Sequence, residues 1–421
     1  MKLQKTLSHL QRLHPKEIDL SLDRIKTLCE KLGNPQDKIK AISVVGTNGK
    51  QSTINAIFSI LKEAKIKCNV YTSPHIQKIN ERFVFNNNTI NDDELIDLFE
   101  RIEKINNQSP ITFFEALTAC FFYKAAQYPE NINLIEAGLF HRFDATNILK
   151  KNLASVVCSI SKDHLDWLPK NQQTVEKIIF EKTSTLLNSN IIVSKQNSEN
   201  TIKNIKKTIN KNVSNKLFFN EDYSYSNGEN GFFYYEDKFG GLKLPLPHIL
   251  GQFQLENIST AIATIRQLNL EIKDADIKNG ITKIKSVGRL QEIKSGKIKD
   301  LIKNNKLFLD GSHNEDGARV LNEFLQTLDG NKHFIIGMMS NKDHEKYIGY
   351  FKNISSLTTV DIPNQQNAIS GKKLKEKFRN VLNVKYEENI DKAIKSLSLE
   401  ENDILIITGS LYLVGEILNL N

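Results

Sequence analysis

Short apolar runs alternate with longer amphipathic stretches over the first two thirds of the chain. "AISVV" (41–45) has the pattern of a buried strand. Ile54, Ile57, Phe58 and Leu61 then fall at i, i+3, i+4 and i+7, one face of a helix. "CNVYT" (68–72) is the next strand, and Leu95, Leu98, Phe99 and Ile102 mark another helix. "NLIEA" (133–137), "SVVCSI" (155–160) and "NIIVS" (190–194) continue the strand series. Near-continuous apolar strands separated by helices predict a parallel sheet covered on both faces. The rhythm changes at about 215–247, where "KLFFN", "YSYSNGENGFFYY" and "GGLKLPLP" set Asn-Gly turn signals among aromatic residues. That pattern predicts a small antiparallel insertion of hairpins, its aromatics packed rather than serving to stack bases. A helical stretch (256–268) and "SVGRLQ" follow. Alternation then restarts with "KLFLD" (306–310), a helix carrying Leu321, Phe324, Leu325 and Leu328, and the strands "HFIIGMM" (333–339), "LTTVDI" (357–362) and "DILIITGS" (403–410). A new strand series needs its own core, so a boundary is expected between about 284 and 300. The α/β chain is thus divided into 1–287 and 288–421.

Composition narrows the class. A chain of 421 residues is too long for one ordinary core, and 39% hydrophobic with 25% charged residues fits a soluble globular protein. No run is apolar enough to span a bilayer, and "MKLQKTLSHLQRLHP" is too interrupted by polar residues for a signal peptide, so the cytoplasm is expected and no membrane. Cys29, Cys68, Cys120 and Cys158 are scattered, which argues against a zinc site or a disulfide framework. A formal charge of +8 invites a nucleic-acid reading. The densest basic stretch (200–212), however, places Ile202, Ile205 and Ile209 at helical spacing with lysines between, the pattern of a solvated helix face. Positive potential suits an anionic small substrate equally well.

The candidate chemistry starts at "SVVGTNGKQS" (43–52). Gly46, Thr47, Asn48, Gly49, Lys50, Gln51 and Ser52 lie after a buried strand and before an amphipathic helix, where a phosphate loop belongs. Yet the usual G-x-x-x-x-G-K-[ST] spacing is shortened, and Gln51 stands in place of the hydroxyl. Ser73 ends the next strand, Glu136 ends a strand that should be buried, and His164 follows the strand after that. A hydroxyl, a carboxylate and an imidazole at the carboxyl ends of successive strands are candidate Mg²⁺ ligands; a helix cap, a costly buried charge and an ordinary loop histidine are the plainer readings. Asp310 ends the first strand of the second domain and His313 opens a helix after it, facing the crevice where ligands usually bind; a capping network is the alternative.

Taken in order, these segments resemble the folylpolyglutamate synthase and dihydrofolate synthase family of the Mur ligase superfamily. The resemblance is carried by "DLSLDRI…LGNP", "VVGTNGKQS", "YTSPHIQKINERF", "TFFEALT", "IEAGLFHRFDATN", "SKDHLDWL", "FEKTS", "QLENISTA", "GRLQEI", "DGSHNEDGAR", "GMMSNKD" and "ITGSLYLVGE". It implies a P-loop NTPase-like domain followed by a Rossmann-like glutamate-ligase domain, and a short Mur-type P-loop rather than a broken one. ATP contacts are implied from Gly49, Lys50, Gln51 and Ser52, and from Asn257, Arg289 and Asp310. Ser73, Glu136 and His164 would hold Mg²⁺, a monovalent cation such as K⁺ is a further candidate, and Lys182 would be the family's carbamylated lysine. Thr112, Phe113, Phe114 and Glu115, with Phe143, Asp144 and Ala145, would lie near the pterin. Lys50, Lys182 and His313 are the implied catalytic groups.

The activity implied is ATP-dependent addition of L-glutamate to dihydropteroate, to the glutamyl tail of reduced folates, or to both, by a monomer that binds no nucleic acid. A UDP-muramyl amino-acid ligase and a nucleic-acid-dependent NTPase are the alternatives. Three positions depart from the family pattern: Gln51 replaces a glycine, Phe253 stands where histidine is usual, and Phe140–His141 occupy a glycine pair.

Overall fold

The computed structural model describes residues 2–14, 19–187, 189–209, 213, 215–379 and 384–421. The first sheet comprises β1 (Lys40–Val45), β2 (Cys68–Tyr71), β3 (Phe83–Phe85), β4 (Asn88–Thr89), β5 (Ile132–Glu136), β6 (Ala154–Val157), β7 (Asn190–Val193) and β8 (Lys216–Phe218), in spatial order β4-β3-β2-β5-β1-β6-β7-β8. From β2 to β8 every pairing is parallel; β3 and β4 add an antiparallel edge. Every residue of β2, β5 and β6 is buried, as expected of strands covered by helices on both faces. The helix Lys50–Glu63 leaves β1 directly and packs against the helix Asp274–Thr282. That approach is close: a Cβ on Gly280 would stand 2.6 Å from Ile60 Cα.

The hairpin insertion is smaller than the aromatic pattern suggests. β9 (Tyr223–Asn227), β10 (Phe232–Asp237) and β11 (Leu242–Pro245) form the three-stranded antiparallel sheet. "KLFFN" does not belong to it. Lys216–Phe218 pairs in parallel with β7 and extends the main sheet, and Asp222 Oδ2 accepts the Phe218 N–H to close the turn that follows. Leu217 and Phe218 are both buried there, so their apolar run is that of a two-face strand. Along β10 the side chains alternate, with Phe233 and Tyr235 buried and Tyr234 exposed.

The second sheet contains β12 (Gln291–Ile293), β13 (Lys306–Asp310), β14 (Lys332–Ile336), β15 (Ile354–Val360), β16 (Val384–Glu387) and β17 (Ile404–Thr408), in spatial order β12-β13-β17-β14-β15-β16. Only β12 is antiparallel to its neighbour. The helix Glu315–Leu325 buries Leu321 and Leu325, and Leu328 packs on the same core from beyond its end. The chain divides into two compact units. One comprises Met1–Ser161, Thr174–His248 and Leu255–Ile284; the other comprises Lys162–Gln173, Ile249–Gln254 and Lys285–Asn421. The basic stretch after Asn200 is helical to Thr208, with Ile205 buried, and its positions 210–212 lie outside the described residues. Among the described residues no helix is long and apolar enough to cross a membrane. The four cysteines are buried and free.

Candidate active site

The loop after β1 is held by the backbone beside it. Thr47 and Asn48 donate their N–H groups to Ser159 O at 2.8 and 3.2 Å, and the Thr47 hydroxyl donates to Ser161 O at 3.1 Å. "CSI", expected to prolong a strand, instead leaves β6 and supplies Ser159 O. Two glycines are required by geometry. Gly46 has φ +148° and a Cβ there would stand 2.7 Å from Cys158 Cβ; Gly49 has φ +87° and its Cβ would meet Asn257 Oδ1 at 2.5 Å. Asn257, from the helix Phe253–Arg266, is thus brought against the loop. The helix begins at Lys50, so Gln51 and Ser52 lie in its first turn, whose N–H groups and positive dipole end favour phosphate oxygens.

Parallel pairing sets the next carboxylate. Val44 of β1 is level with Glu136 of β5, so the Glu136 side chain emerges beside the loop. Glu136 is 4% exposed. One oxygen accepts the Ser73 N–H at 3.1 Å, and the other lies 3.7 Å from Lys50 Nζ. Lys50 Nζ also donates to Thr47 O at 3.3 Å. Carboxylate and hydroxyl oxygens from Glu136 and Ser73 are the hard donors that Mg²⁺ selects, so this pair fits the ion. His164 belongs to the other unit. Among the described residues no three His, Cys, Asp or Glu side chains form a metal-holding group by themselves.

The residues implied for the pterin fall into two sorts. Phe114 stacks on Tyr71 with centroids 6.1 Å apart, and a Cβ on Gly138 would meet both Phe114 and Asp144, so these three positions are adjacent. Thr112 and Glu115, by contrast, form a capping box at the start of the helix Phe113–Ala125, and Glu115 receives Arg24 through two hydrogen bonds of 3.1 Å. Asp144 is equally committed. Its carboxylate accepts N–H bonds from Gly138, Leu139 and Thr146 and the Thr146 hydroxyl at 2.6 Å, tying Gly138–Thr146 into one loop. Burial raises its pKa despite those bonds. Phe143 lies under the Arg142 guanidinium at 4.2 Å, and Arg142 forks onto Glu181 through two bonds of 2.8 Å. Ala145 is buried in the core beside them.

Phe140 and His141, the glycine-pair departure, turn inward and are both buried. Lys182 Nζ lies 5.4 Å over the Phe140 ring and donates to Leu139 O at 2.8 Å. His141 bonds Thr185 Oγ1 at 3.1 Å, and burial, with the Lys182 charge, pushes its pKa down to about 4. A carbonyl oxygen and a ring face are partners for an ammonium. A carboxylated Nζ would have to turn away from both.

In the second unit Asp310 stands at the end of β13, where its carboxylate accepts the Leu290 N–H at 2.7 Å and the Ser312 N–H at 2.9 Å. It thereby fixes the turn that carries Arg289. His313 Nδ1 pairs with Gly311 O at 2.9 Å. Burial and the nearby Lys342 charge lower its pKa, against the opposing pull of Asp163. Asp163, which no motif argument singles out, is the hub here. Lys342 Nζ lies 2.6 Å from its Oδ1, Asn314 Nδ2 donates to Oδ2 at 3.1 Å, and His313 and His164 Nε2 lie 3.6 and 3.7 Å from Oδ2. Burial opposes the charge on Asp163, but His164, His313 and Lys342 outweigh it and hold the carboxyl well below its usual range. Its sequence signal is a carboxylate placed directly before His164.

The family model for the dihydrofolate synthetase C-terminal domain matches residues 295–420. The dihydrofolate synthase/folylpolyglutamate synthase of Bacillus subtilis is 30% identical over 424 residues, covering 94% of each chain. The chain belongs to this family. The Haemophilus influenzae member is 28% identical over 435 residues, covering 98% of this chain and 96% of its own. The structure of E. coli FolC in complex with DHPP and ADP superposes with a TM-score of 0.86 at 26% identity, covering 99% of this chain and 97% of that one. Family membership leaves the readings as a UDP-muramyl ligase or a polynucleotide-dependent NTPase without support.

Proposed function

We propose that this chain uses ATP to join the amine of L-glutamate to dihydropteroate and to the glutamyl tail of reduced folates. The observation that carries the reading is the short phosphate loop, with Lys50 and the buried Glu136 beside it, in a chain matching dihydrofolate synthase/folylpolyglutamate synthase relatives over nearly their full length. The substrate carboxylate attacks the γ-phosphorus of ATP, ADP departs, and an acyl phosphate forms. The glutamate amine then attacks the acyl carbon, and phosphate leaves from the tetrahedral intermediate.

This chemistry asks for positioning and neutralised charge more than for a protein nucleophile. Lys50 and the first turn of its helix hold the phosphates. Asn257 adds to these contacts, and Arg289 and Asp310 are the nucleotide-binding candidates that the second unit carries. Ser73 and Glu136 would hold Mg²⁺, which when bound neutralises phosphate charge, and His164 is the candidate ligand that the second unit carries. His313 directs Nδ1 to Gly311 O and Nε2 to Asp163, so its part is to set the loop after β13. Thr112 and Glu115 act by fixing the helix that presents Phe113 and Phe114, and Asp144 by fixing the loop that presents Phe143. The first unit takes ATP and the pteridine substrate, and the second takes glutamate. A carbamate on Lys182 and a K⁺ requirement belong to the same proposal, as do a monomeric state and cytoplasmic work.

The test is ADP release with either dihydropteroate or tetrahydrofolate, each with and without L-glutamate, in potassium and in sodium buffers. Glutamate-dependent turnover of both acceptors is expected, faster in potassium. Activity on the folate alone overturns the dual specificity, and activity on neither overturns the whole reading. Lys182→Ala should be inactive and partly restored by acetate or formate; full activity without rescue removes the carbamate.

A further inference from the structure

Two loops leave the carboxyl ends of parallel strands in the second sheet and carry its ionic side chains. Gly311–Asn314 follows β13 and Gly337–Lys342 follows β14, the strands on either side of β17. Open α/β sheets take their ligands at that edge. A third segment joins the two loops from elsewhere in the sequence. Residues 162–173 belong to this unit although the chain on either side of them does not. Its second residue is Asp163, whose carboxylate reaches Lys342 on one loop and Asn314 and His313 on the other.

We propose that Asp163 is a positioning residue of the ligase reaction, holding Lys342 as a fixed donor toward one oxyanion, a phosphate of ATP or a carboxylate of L-glutamate. The inference rests on the ligase reading above. A lysine ammonium on a four-carbon stem is otherwise mobile, and a short charge-assisted bond to a buried carboxylate removes that freedom. Asp163 and Lys342 have side chains only 7% and 10% exposed. A buried ion pair repays its desolvation poorly, so two apolar side chains would serve a merely structural joint as well. Lys342 has three N–H donors, and one bond to Asp163 leaves the ammonium able to serve a ligand. His313 has both ring nitrogens occupied, Gly311 O on Nδ1 and Asp163 on Nε2, so the donors left for a ligand are those of Lys342.

Asp163→Asn retains the shape and loses the charge. Steady-state kinetics for ATP and for L-glutamate, with circular dichroism and the thermal midpoint as checks on folding, should show kcat/KM falling about 10- to 100-fold, the worth of one hydrogen bond to a charged group. A rise in KM confined to ATP assigns the oxyanion to phosphate; a rise confined to L-glutamate assigns it to the amino acid. Because Asp163 acts through Lys342, the double variant Asp163→Asn, Lys342→Met should be no slower than Lys342→Met alone. Wild-type kinetics in a folded Asp163→Asn overturns the proposal. If that variant does not fold, the double variant still decides, since it carries no unpaired buried charge: a further tenfold loss relative to Lys342→Met overturns the proposal. Failure of the unaltered enzyme to release ADP with glutamate would instead be a failure of the ligase reading.

Discussion

Glu136 shows how a single buried side chain can be legible from sequence alone. A carboxylate ending an apolar run has to be resolved by a partner, and the structure supplies the Ser73 amide and the Lys50 ammonium. Glu136→Gln keeps the acceptor for Ser73 and removes the charge. The expected outcome is an Mg²⁺ activation midpoint at least about tenfold higher, with turnover down about 10- to 100-fold, read from an Mg²⁺ titration of ADP release. Asp163 was harder to see. Its partners His313, Asn314 and Lys342 lie some 150 or more positions away in sequence, and spacing carries no information about such a meeting. Thr112, Glu115 and Asp144 mark a different limit. Motif resemblance located them near a substrate, but only hydrogen bonds reveal that their polar atoms already serve the backbone.

Among the elements, periodicity located β1, the helix after it and the parallel series because burial on both faces leaves an unbroken apolar run. It misjudged Lys216–Phe218 because three residues are too few to tell a two-face strand from one arm of a hairpin. It could not foresee close helix contacts. At Gly280 an added Cβ would press on Ile60 backbone at 2.6 Å, and backbone cannot rotate aside. Gly280→Ala should therefore cost about 1–3 kcal/mol, measured by urea unfolding. The short helix His344–Gly349 offers a pH test. Burial holds the His344 pKa below its ordinary value of 6.5, even though its ring donates to Met339 O. Between those two values the unfolded chain binds a proton that the folded one does not, so stability falls as pH drops below 6.5. His344→Gln should flatten that fall by up to about 1.4 kcal/mol per pH unit, seen in unfolding curves taken at successive pH values.

For the whole molecule, a boundary read from the restart of strand–helix alternation places nearly all of the second sheet in one contiguous stretch. The compact unit is larger than that stretch, because Lys162–Gln173 and Ile249–Gln254 belong to it. Hydrophobic patterning is local and cannot assign such short excursions to a distant core. A fragment of residues 285–421 would lack Asp163 and also Leu250 and Phe253, which pack on the core around Leu290 and Phe308. It should unfold at a lower urea concentration and with a broader transition than the same unit in the intact chain. An equally sharp, equally stable transition would show that the excursions contribute nothing to folding.

The discontinuity also bears on inheritance. A recombination event that joins two homologous genes near the codon for residue 285 would give a chimera with Lys342 and His313 from one parent and Asp163 from the other. The relatives described are 28–30% identical to this chain, so the surroundings of such partners would come from two differing backgrounds. Compatible crossovers should therefore be those that transfer codons 162–173 and 249–254 together with everything after 285, so that a single ancestry supplies every member of the ionic cluster.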